Sequence, residues 1–434
     1  MTDSAATSLR KEINLRYAVA LYMSSVLGSG ILVLPGLVAK RAGPASLVAW
    51  VLLSLASYPL AYTFASLSAR KPESGGVYSF ARESFGSRVA SSVSWLFVLW
   101  YVTGAPAVTI IAASYVAFAI PLSRTLVYAI AGLIVITAFI VNYQGIRISG
   151  RIQMVVVAAI ATLLITAVIA SIPLIRPENF TPFAPYGLIP IGVAAALIFW
   201  SYLGYENVSN IAEEFKNPER DFQRSILLSV ILISLLYLSV AIATVGTKSY
   251  IAGGSVAPFA AILSNALGPY AAVATAILAV VIIFGTVNVY SAGMSRVVYA
   301  AAREGGLPSW FDRVSRRTGV PYRALILLQG SSVLSLAAYY VLNFDLETAL
   351  LIPSGAAILV YVVGSAAGIR LLKGRGRKEK WFPWVSLAIA LIMAPFVGYL
   401  LIASIIVAGL GLLYKRRDNG KTRISEGSSE ARTI

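Results

Sequence analysis

The chain has 434 residues, 58% of them hydrophobic and 12% charged, about half the charged share of a typical water-soluble domain. It contains no cysteine and no histidine, which excludes a disulfide framework, a thiolate zinc site, a cysteine nucleophile and a histidine proton relay. The formal net charge of +17 comes from basic residues dispersed between apolar runs rather than gathered on one face, so it does not point to nucleic acid.

Apolar runs of roughly 20 residues, enough to cross a ~30 Å hydrocarbon core as helices, recur along the chain and predict an all-α polytopic membrane protein. A β-barrel would alternate instead. Residues 1–14, MTDSAATSLRKEIN, are polar and precede a full spanning run without a small-residue cleavage pattern, so they read as a cytoplasmic tail and not as a removable signal peptide. The first span, 15–38, carries LGSGILVLP, in which Gly28, Ser29 and Gly30 weaken the helix at mid-depth. Its glycines are two apart and lie on different sides of a helix, which argues against a single close-packing seam. After the second span, 44–67, the stretch GGVYSFARESFGS reads as an amphipathic interfacial helix or as a solvated loop. The third span, 89–120, includes TGAPA at 103–107, small residues that leave room, with Thr103 a candidate contact. Spans 125–141 and 152–172 complete a first half over 15–172.

The sixth span, 188–211, holds FWSYLGYENVSN, with Gly204 at mid-depth and Glu206 behind it. Glu206 is the sole acidic residue in the interior of a predicted span, the others falling in tails, loops or helix ends, and an intramembrane carboxylate is costly enough to be a functional candidate by default. Two roles stay open for it, proton handling and capping of backbone N–H groups. The seventh span is 225–247, and the external segment after it contains GGSVAPFAAILSNALG, which predicts a short surface helix. In the eighth span, 269–300, Thr286, Asn288, Ser291 and Ser295 form a polar series, suited to interhelical hydrogen bonds or to lining a pathway. Arg296, near its cytoplasmic end, snorkels or pairs in a gate. Spans 325–342 and 346–372 close a second half over 188–372. Segments 381–394 and 397–414 read as two short spans or, over 381–414, as one long tilted helix. Residues 415–434 are a polar, disordered tail.

Charge separates the last two readings. With twelve spans, 30 of the 35 Lys and Arg residues fall on the side of the N-terminus, and 5 (Lys40, Arg41, Arg124, Arg176, Lys248) on the other. Eleven spans would put the basic C-terminal segment on the wrong side. Twelve are therefore expected, in the cell membrane, with both termini cytoplasmic.

The two interruptions lie five spans apart. Paired helix breaks at corresponding positions of two halves point to a transporter of inverted repeats with its substrate site at the breaks. The half-helix starting near Ile31 offers free N–H groups and a positive dipole end to a carboxylate. The half-helix ending near Trp200 offers carbonyls, from Phe199, Trp200 and Tyr202, to an ammonium group. Together they describe a receptor for a zwitterion, of which an α-amino acid is the common case. Trp200 and Tyr202 are candidate walls for its side chain.

Four blocks, in order, carry a resemblance: VLGSGILVLPGLVAKRAG, KPESGGVYSFARESFGS, FWSYLGYENVSNIAEEFKNPERDF and SRVVYAAAREGGLPSWFDRVSRRTGVP. The chain resembles amino-acid permeases of the amino acid/polyamine/organocation (APC) superfamily over nearly its whole length, and is most similar to the branch of exporters for methionine and branched-chain amino acids. That resemblance implies about twelve transmembrane helices in a 5+5 inverted repeat (LeuT-like fold), with helices 1 and 6 broken and two peripheral helices. It implies that the substrate carboxylate binds at Gly28, Ser29 and Gly30 and the amino group at carbonyls around Phe199, Trp200 and Tyr202. Arginine exchangers of the superfamily have an aromatic residue and Ser at the Trp200 and Ser201 positions and a Glu at the Glu206 position. Proton-coupled members carry a lysine in the fifth helix, where this chain has Ile160.

The expected function is secondary transport of L-amino acids by alternating access, favouring neutral apolar substrates. A basic amino-acid or polyamine exchanger is the alternative, and a non-transporting sensor or a channel the alternative of another class. An enzyme is not expected, since one embedded carboxylate does not supply a catalytic set. The candidate binding residues are Ser25, Gly28, Ser29, Gly30, Ile31, Thr103, Phe199, Trp200, Ser201, Tyr202, Gly204 and Asn288, with Glu206 the coupling candidate. The expected partners are the amino acid, a proton or another counter-substrate, and the bilayer; neither cofactor nor metal is expected.

Overall fold

The computed structural model describes residues 15–70, 76–145, 150–204, 218–251, 253–374 and 376–414. The first apolar run does not form one helix: α1 (Leu15–Val26) stops before Leu27, and α2 (Gly30–Ala42) starts anew three residues later. A glycine in a helix interior costs about 1 kcal/mol relative to alanine, so Gly28 and Gly30 make this the weakest point of the run. Gly43, at φ 61°, then turns the chain against Pro185 and into α3 (Ser46–Arg70). The expected amphipathic segment is a helix, α4 (Val77–Phe85), between Gly76 and Gly86 at φ 49° and 88°. Its residues Val77 to Ala81 are buried and Arg82 and Glu83 are exposed, paired with Glu304 and Arg70 at 2.8 Å each.

The longest helices form the centre. α5 (Ser87–Ala119) packs against α11 (Tyr270–Arg303), α6 (Arg124–Tyr143) against α12 (Tyr322–Val341), α3 against α9 (Pro218–Gly246), and α2 against α8 (Ile189–Phe199). In each pair the second member is the crossing five later in the chain. A pseudo-two-fold axis in the membrane plane produces this pattern, and it is the architecture of an inverted repeat. α7 (Gly150–Ser171) and α13 (Leu346–Leu371) complete the two sets of five.

Among the described residues nine helical stretches are long and apolar enough to cross a membrane. Two of them, Gly30–Arg70 and Arg377–Leu413, each hold two crossings, and the shorter apolar stretch Ile189–Tyr202 falls at the sixth, so the described residues account for twelve crossings. The last pair is decided by its neighbours. α14 (Arg377–Met393) starts with Pro383 against Gly368 of α13, and α15 (Leu401–Leu413) ends with Gly411 against the Ser92 backbone of α5. Both contacts lie on the face that carries α4, where Arg370 donates to the Ser84 carbonyl at 2.7 Å and Ser91 to the Gly306 carbonyl at 2.8 Å. Gly398, at φ 68° and ψ −148°, is therefore a reversal, and residues 381–414 are two crossings rather than one tilted helix.

The helices sort into two groups. α1, α2, α3, α8 and α9 pack on one another, and so do α5, α6, α11 and α12; direct contact between these groups is thin, and α7 and α13 touch members of both. The second group is cross-linked by polar side chains: Asn142 Nδ2 donates to Asn288 Oδ1 at 2.8 Å, and Gln329 Nε2 donates to Ser291 Oγ at 2.6 Å and to Tyr101 Oη at 3.1 Å. The Tyr101 and Ser291 hydroxyls also bond each other.

At the face opposite α4, α2 is held in place by three features. Tyr115 of α5 donates to the Leu32 carbonyl at 2.6 Å, Arg41 pairs with Glu347 at 3.6 Å, and Gly36 lies against the Ser255 backbone. The last contact explains a departure from expectation. α10 (Pro258–Leu267) is not a surface helix: the loop before it lies on α2, and Pro258 to Leu263 are buried where the helix packs on α11 and α7.

A Cβ at position 36 would stand 2.4 Å from the Ser255 carbonyl oxygen, which is backbone and has little freedom to retreat. Gly36→Ala is expected to lose more to this overlap, about 1–3 kcal/mol, than the ~1 kcal/mol that alanine returns to the helix. A lowered melting temperature of the purified protein in detergent is the expected result.

Candidate functional site

Among the described residues, the first break leaves backbone donors without backbone acceptors. Leu27 N–H still reaches back to the Met23 carbonyl at 2.8 Å, and Leu32 N–H bonds the Ser29 carbonyl at 3.2 Å. Between them the N–H groups of Gly28 and Ser29 have no backbone acceptor among the described residues. The Ser29 side chain makes no capping bond to α2, so the N–H groups of Gly30 and Ile31, the first of that helix, face outward from its end. Such an uncapped N-terminus attracts an anion through its donors and its dipole together.

The second break is a tightening followed by a stop. After Phe199 the chain forms a single 3-10 turn, Trp200–Tyr202, closed by Leu203 N–H on the Trp200 carbonyl at 3.3 Å. Gly204 follows at φ 125°, a conformation L side chains rarely adopt. The Trp200 carbonyl thus accepts the Leu203 N–H, and the Ser201 carbonyl receives a hydroxyl from Tyr237.

The structure brings the two breaks into direct contact. A Cβ on Gly30 would lie 2.7 Å from Trp200 Cδ1 and 2.8 Å from Ser201 Oγ, so the first break touches the second through a position where only glycine fits. Gly28, by contrast, has among the described residues only the Val26 carbonyl oxygen within 4 Å of its Cβ position, at 3.8 Å. The Ser201 hydroxyl is buried, at 3% exposure, and has no hydrogen-bond partner among the described residues.

Tyr237 of α9 ties the breaks from behind. Its hydroxyl lies 3.1 Å from the Val26 carbonyl, at the end of α1, and 3.1 Å from the Ser201 carbonyl, in the 3-10 turn. Its ring stands edge-on to Tyr202 at 5.2 Å and to Trp50 at 5.7 Å. Sequence reasoning did not single out Tyr237; its signal was a lone tyrosine in the apolar run ISLLYLSV.

The remaining candidates divide. Trp200 is half-buried, with its ring between Gly30 and Gly104 and edge-on to Trp100 at 6.2 Å. The Tyr202 side chain belongs to packing: it is 1% exposed and shares a 2.6 Å hydrogen bond with Ser54. Phe199 packs edge-on to Tyr361 of α13 at 5.4 Å. Thr103 donates to the Leu99 carbonyl of its own helix at 2.7 Å, and its carbonyl accepts the Tyr339 hydroxyl at 3.0 Å. Asn288 and Ser291 hold α11 to α6, α5 and α12, while Thr286 and Ser295 bond carbonyls of their own helix. The room at TGAPA is taken by Trp200, whose Cη2 lies 2.7 Å from the Cβ position of Gly104. The side chain of Ser25 and the whole of Glu206 lie outside the described residues.

Comparison with known proteins bears on this site. A family profile described as "Amino acid permease" matches residues 13–414. The chain is 32% identical to the uncharacterized amino acid permease YecA of Bacillus subtilis (strain 168), over 95% of this chain and 97% of that one. It is 30% identical to the L-methionine/branched-chain amino acid exporter YjeH of Escherichia coli (strain K12), over 96% of this chain and 100% of that one. It is also 29% identical to the branched-chain amino acid permease BcaP of Bacillus subtilis (strain 168), over 74% of this chain and 73% of that one.

Tyr237→Phe removes a donor that faces two buried carbonyls without changing the shape of the ring. A stability loss of about 1–3 kcal/mol is expected from leaving a buried acceptor unmet. Chemical denaturation in detergent measures it, and Tyr237→Phe should cost more than the same change at the exposed Tyr399.

Proposed function

We infer, from the premise that this chain belongs to the amino acid permease family, that it is a secondary transporter of neutral, mainly apolar L-amino acids working by alternating access. The observation that carries this reading is the contact of the two breaks at Gly30 and Trp200. It sets the donors of one half-helix next to the carbonyl end of another, the pair of poles that a zwitterion needs. In this reading the N–H groups of Gly28, Ser29, Gly30 and Ile31 hold the carboxylate. Carbonyls at Phe199, Trp200 and Tyr202 hold the ammonium, and Ser201 adds its free hydroxyl.

The side-chain preference is supported by what surrounds the breaks. The described residues there (Trp200, Trp100, Gly104, Pro353) are apolar or aromatic and offer no counter-charge to a cationic side chain. The relatives named for methionine and branched-chain amino acids fit the same preference. Alternating access is supported by the division of the helices into two internally bonded groups with the site between them. Ile160, buried in α7, stands where a coupling lysine would, so the energy source in this reading is a counter-substrate or Glu206.

The orientation proposed is cytoplasmic for the face carrying α4. Arg82, Arg370 and Lys378 lie on that face and Arg41 and Arg124 on the other, which supports the positive-inside assignment with both termini in the cytoplasm.

Counterflow into proteoliposomes with labelled leucine, methionine and arginine tests the substrate class. Leucine and methionine are expected to exchange with saturation, and uptake of arginine alone would replace this reading by that of a basic amino-acid exchanger. In the same vesicles under a proton gradient, Glu206→Gln is expected to abolish any gradient-driven component while leaving exchange intact; full gradient-driven uptake by the variant would remove Glu206 from coupling.

A further inference from the structure

We propose that Gly104 determines the largest side chain the site accepts, by seating the Trp200 indole against α5; this rests on the amino-acid transport reading above. The indole is held between two glycines on different helices. Its Cδ1 lies 2.7 Å from the Cβ position of Gly30, and at its other end Cη2 lies 2.7 Å and Cζ2 3.6 Å from the Cβ position of Gly104. One ring therefore spans from the first break to the middle of α5.

Nothing in the backbone calls for glycine at 104. The position is inside α5 and has no positive φ, so alanine is conformationally permitted and helix propensity favours it. What glycine provides is room for the ring. A methyl group there would be trapped, because Pro353 Cβ of α13 stands 3.4 Å away on the other side. The ring would have to yield. It cannot slide toward Gly30, whose backbone already meets its pyrrole edge, and Trp100 stands edge-on to it at 6.2 Å and 72°. The space left among the described residues is beside Gly28, where the Val26 carbonyl oxygen alone of the described atoms lies within 4 Å of the Cβ position. That is where an amino acid held between the breaks projects its side chain. Gly104 thus acts at one remove: it touches the ring, and the ring bounds the pocket.

The consequence is selective by size. Gly104→Ala is expected to lower the transport efficiency of leucine and methionine relative to alanine by roughly ten-fold or more, the range that one methylene commands in an apolar pocket. Trp200→Phe in the same chain removes Cη2, the atom nearest position 104, so the double variant is expected to regain leucine and methionine relative to Gly104→Ala. Trp200→Phe alone is expected to raise leucine and methionine relative to alanine, and it serves as the test if Gly104→Ala does not fold. The experiment is counterflow of labelled alanine, valine, leucine and methionine in proteoliposomes, with each variant first checked for monodispersity in detergent. A loss that is equal for all four substrates, or a double variant no better than the single one, overturns the role of Gly104 and leaves the transport reading standing. Failure of the unmodified protein to exchange any of the four overturns both.

Discussion

A backbone that leaves its helix inside a membrane must have its N–H and C=O groups met by something other than lipid. This chain breaks its first and sixth crossings at mid-depth and sets the two breaks against each other, Gly30 on Trp200 and Ser201. Part of the demand is met within the protein: Leu203 closes the 3-10 turn on the Trp200 carbonyl, and the Tyr237 hydroxyl serves the carbonyls of Val26 and Ser201. The donors of Gly28 and Ser29 are not served by backbone acceptors among the described residues. In the proposed reading a cargo with a carboxylate at one end and an ammonium at the other completes the set, so the same unsatisfied groups that make the break costly would make it a receptor.

The way the rest of the protein is bonded follows from carrying that receptor. The helices bearing the breaks are joined by aromatic packing around Trp50, Tyr202 and Tyr237 and by the Tyr237 hydroxyl. The facing helices are joined by the side-chain hydrogen bonds of Asn142, Asn288, Tyr101, Ser291 and Gln329. Between the two sets, α2 is fastened at one face by a hydroxyl, an ion pair and a glycine contact. A partly exposed ion pair such as Arg41 and Glu347 is worth about 1 kcal/mol or less and holds α2 only weakly on its own.

Much of the fold was legible in the sequence because its determinants are local. Apolar run length gives the crossings, Gly28 and Gly204 mark the breaks, and Gly76 and Gly86 bracket α4. The last two crossings needed Gly398, whose reversal the run 381–414 does not announce, although the charge balance did favour it. The site was half legible. The glycines and Trp200 stood out, but Tyr237 lies in another crossing, and its role depends on a contact across 211 residues with Val26. Tyr202 read as a wall and a carbonyl, Thr103 as part of a roomy stretch and Asn288 as one of a polar series; the side-chain partners at Ser54, Leu99 and Asn142 are what the structure adds. Gly104 carried the signal of a small residue leaving room, without the information that a tryptophan from the sixth crossing fills it.

The central claim is that the two breaks form one receptor with an anion pole and a cation pole. Competition against labelled leucine bound to the purified protein tests it, using leucine, leucinol, which lacks the carboxylate, and 4-methylpentanoate, which lacks the amine. Each truncated analogue is predicted to compete roughly ten- to a hundred-fold more weakly than leucine, the loss of one charge-assisted set of hydrogen bonds. If either competes as well as leucine, the pole that should have recognised its missing group is not part of the site.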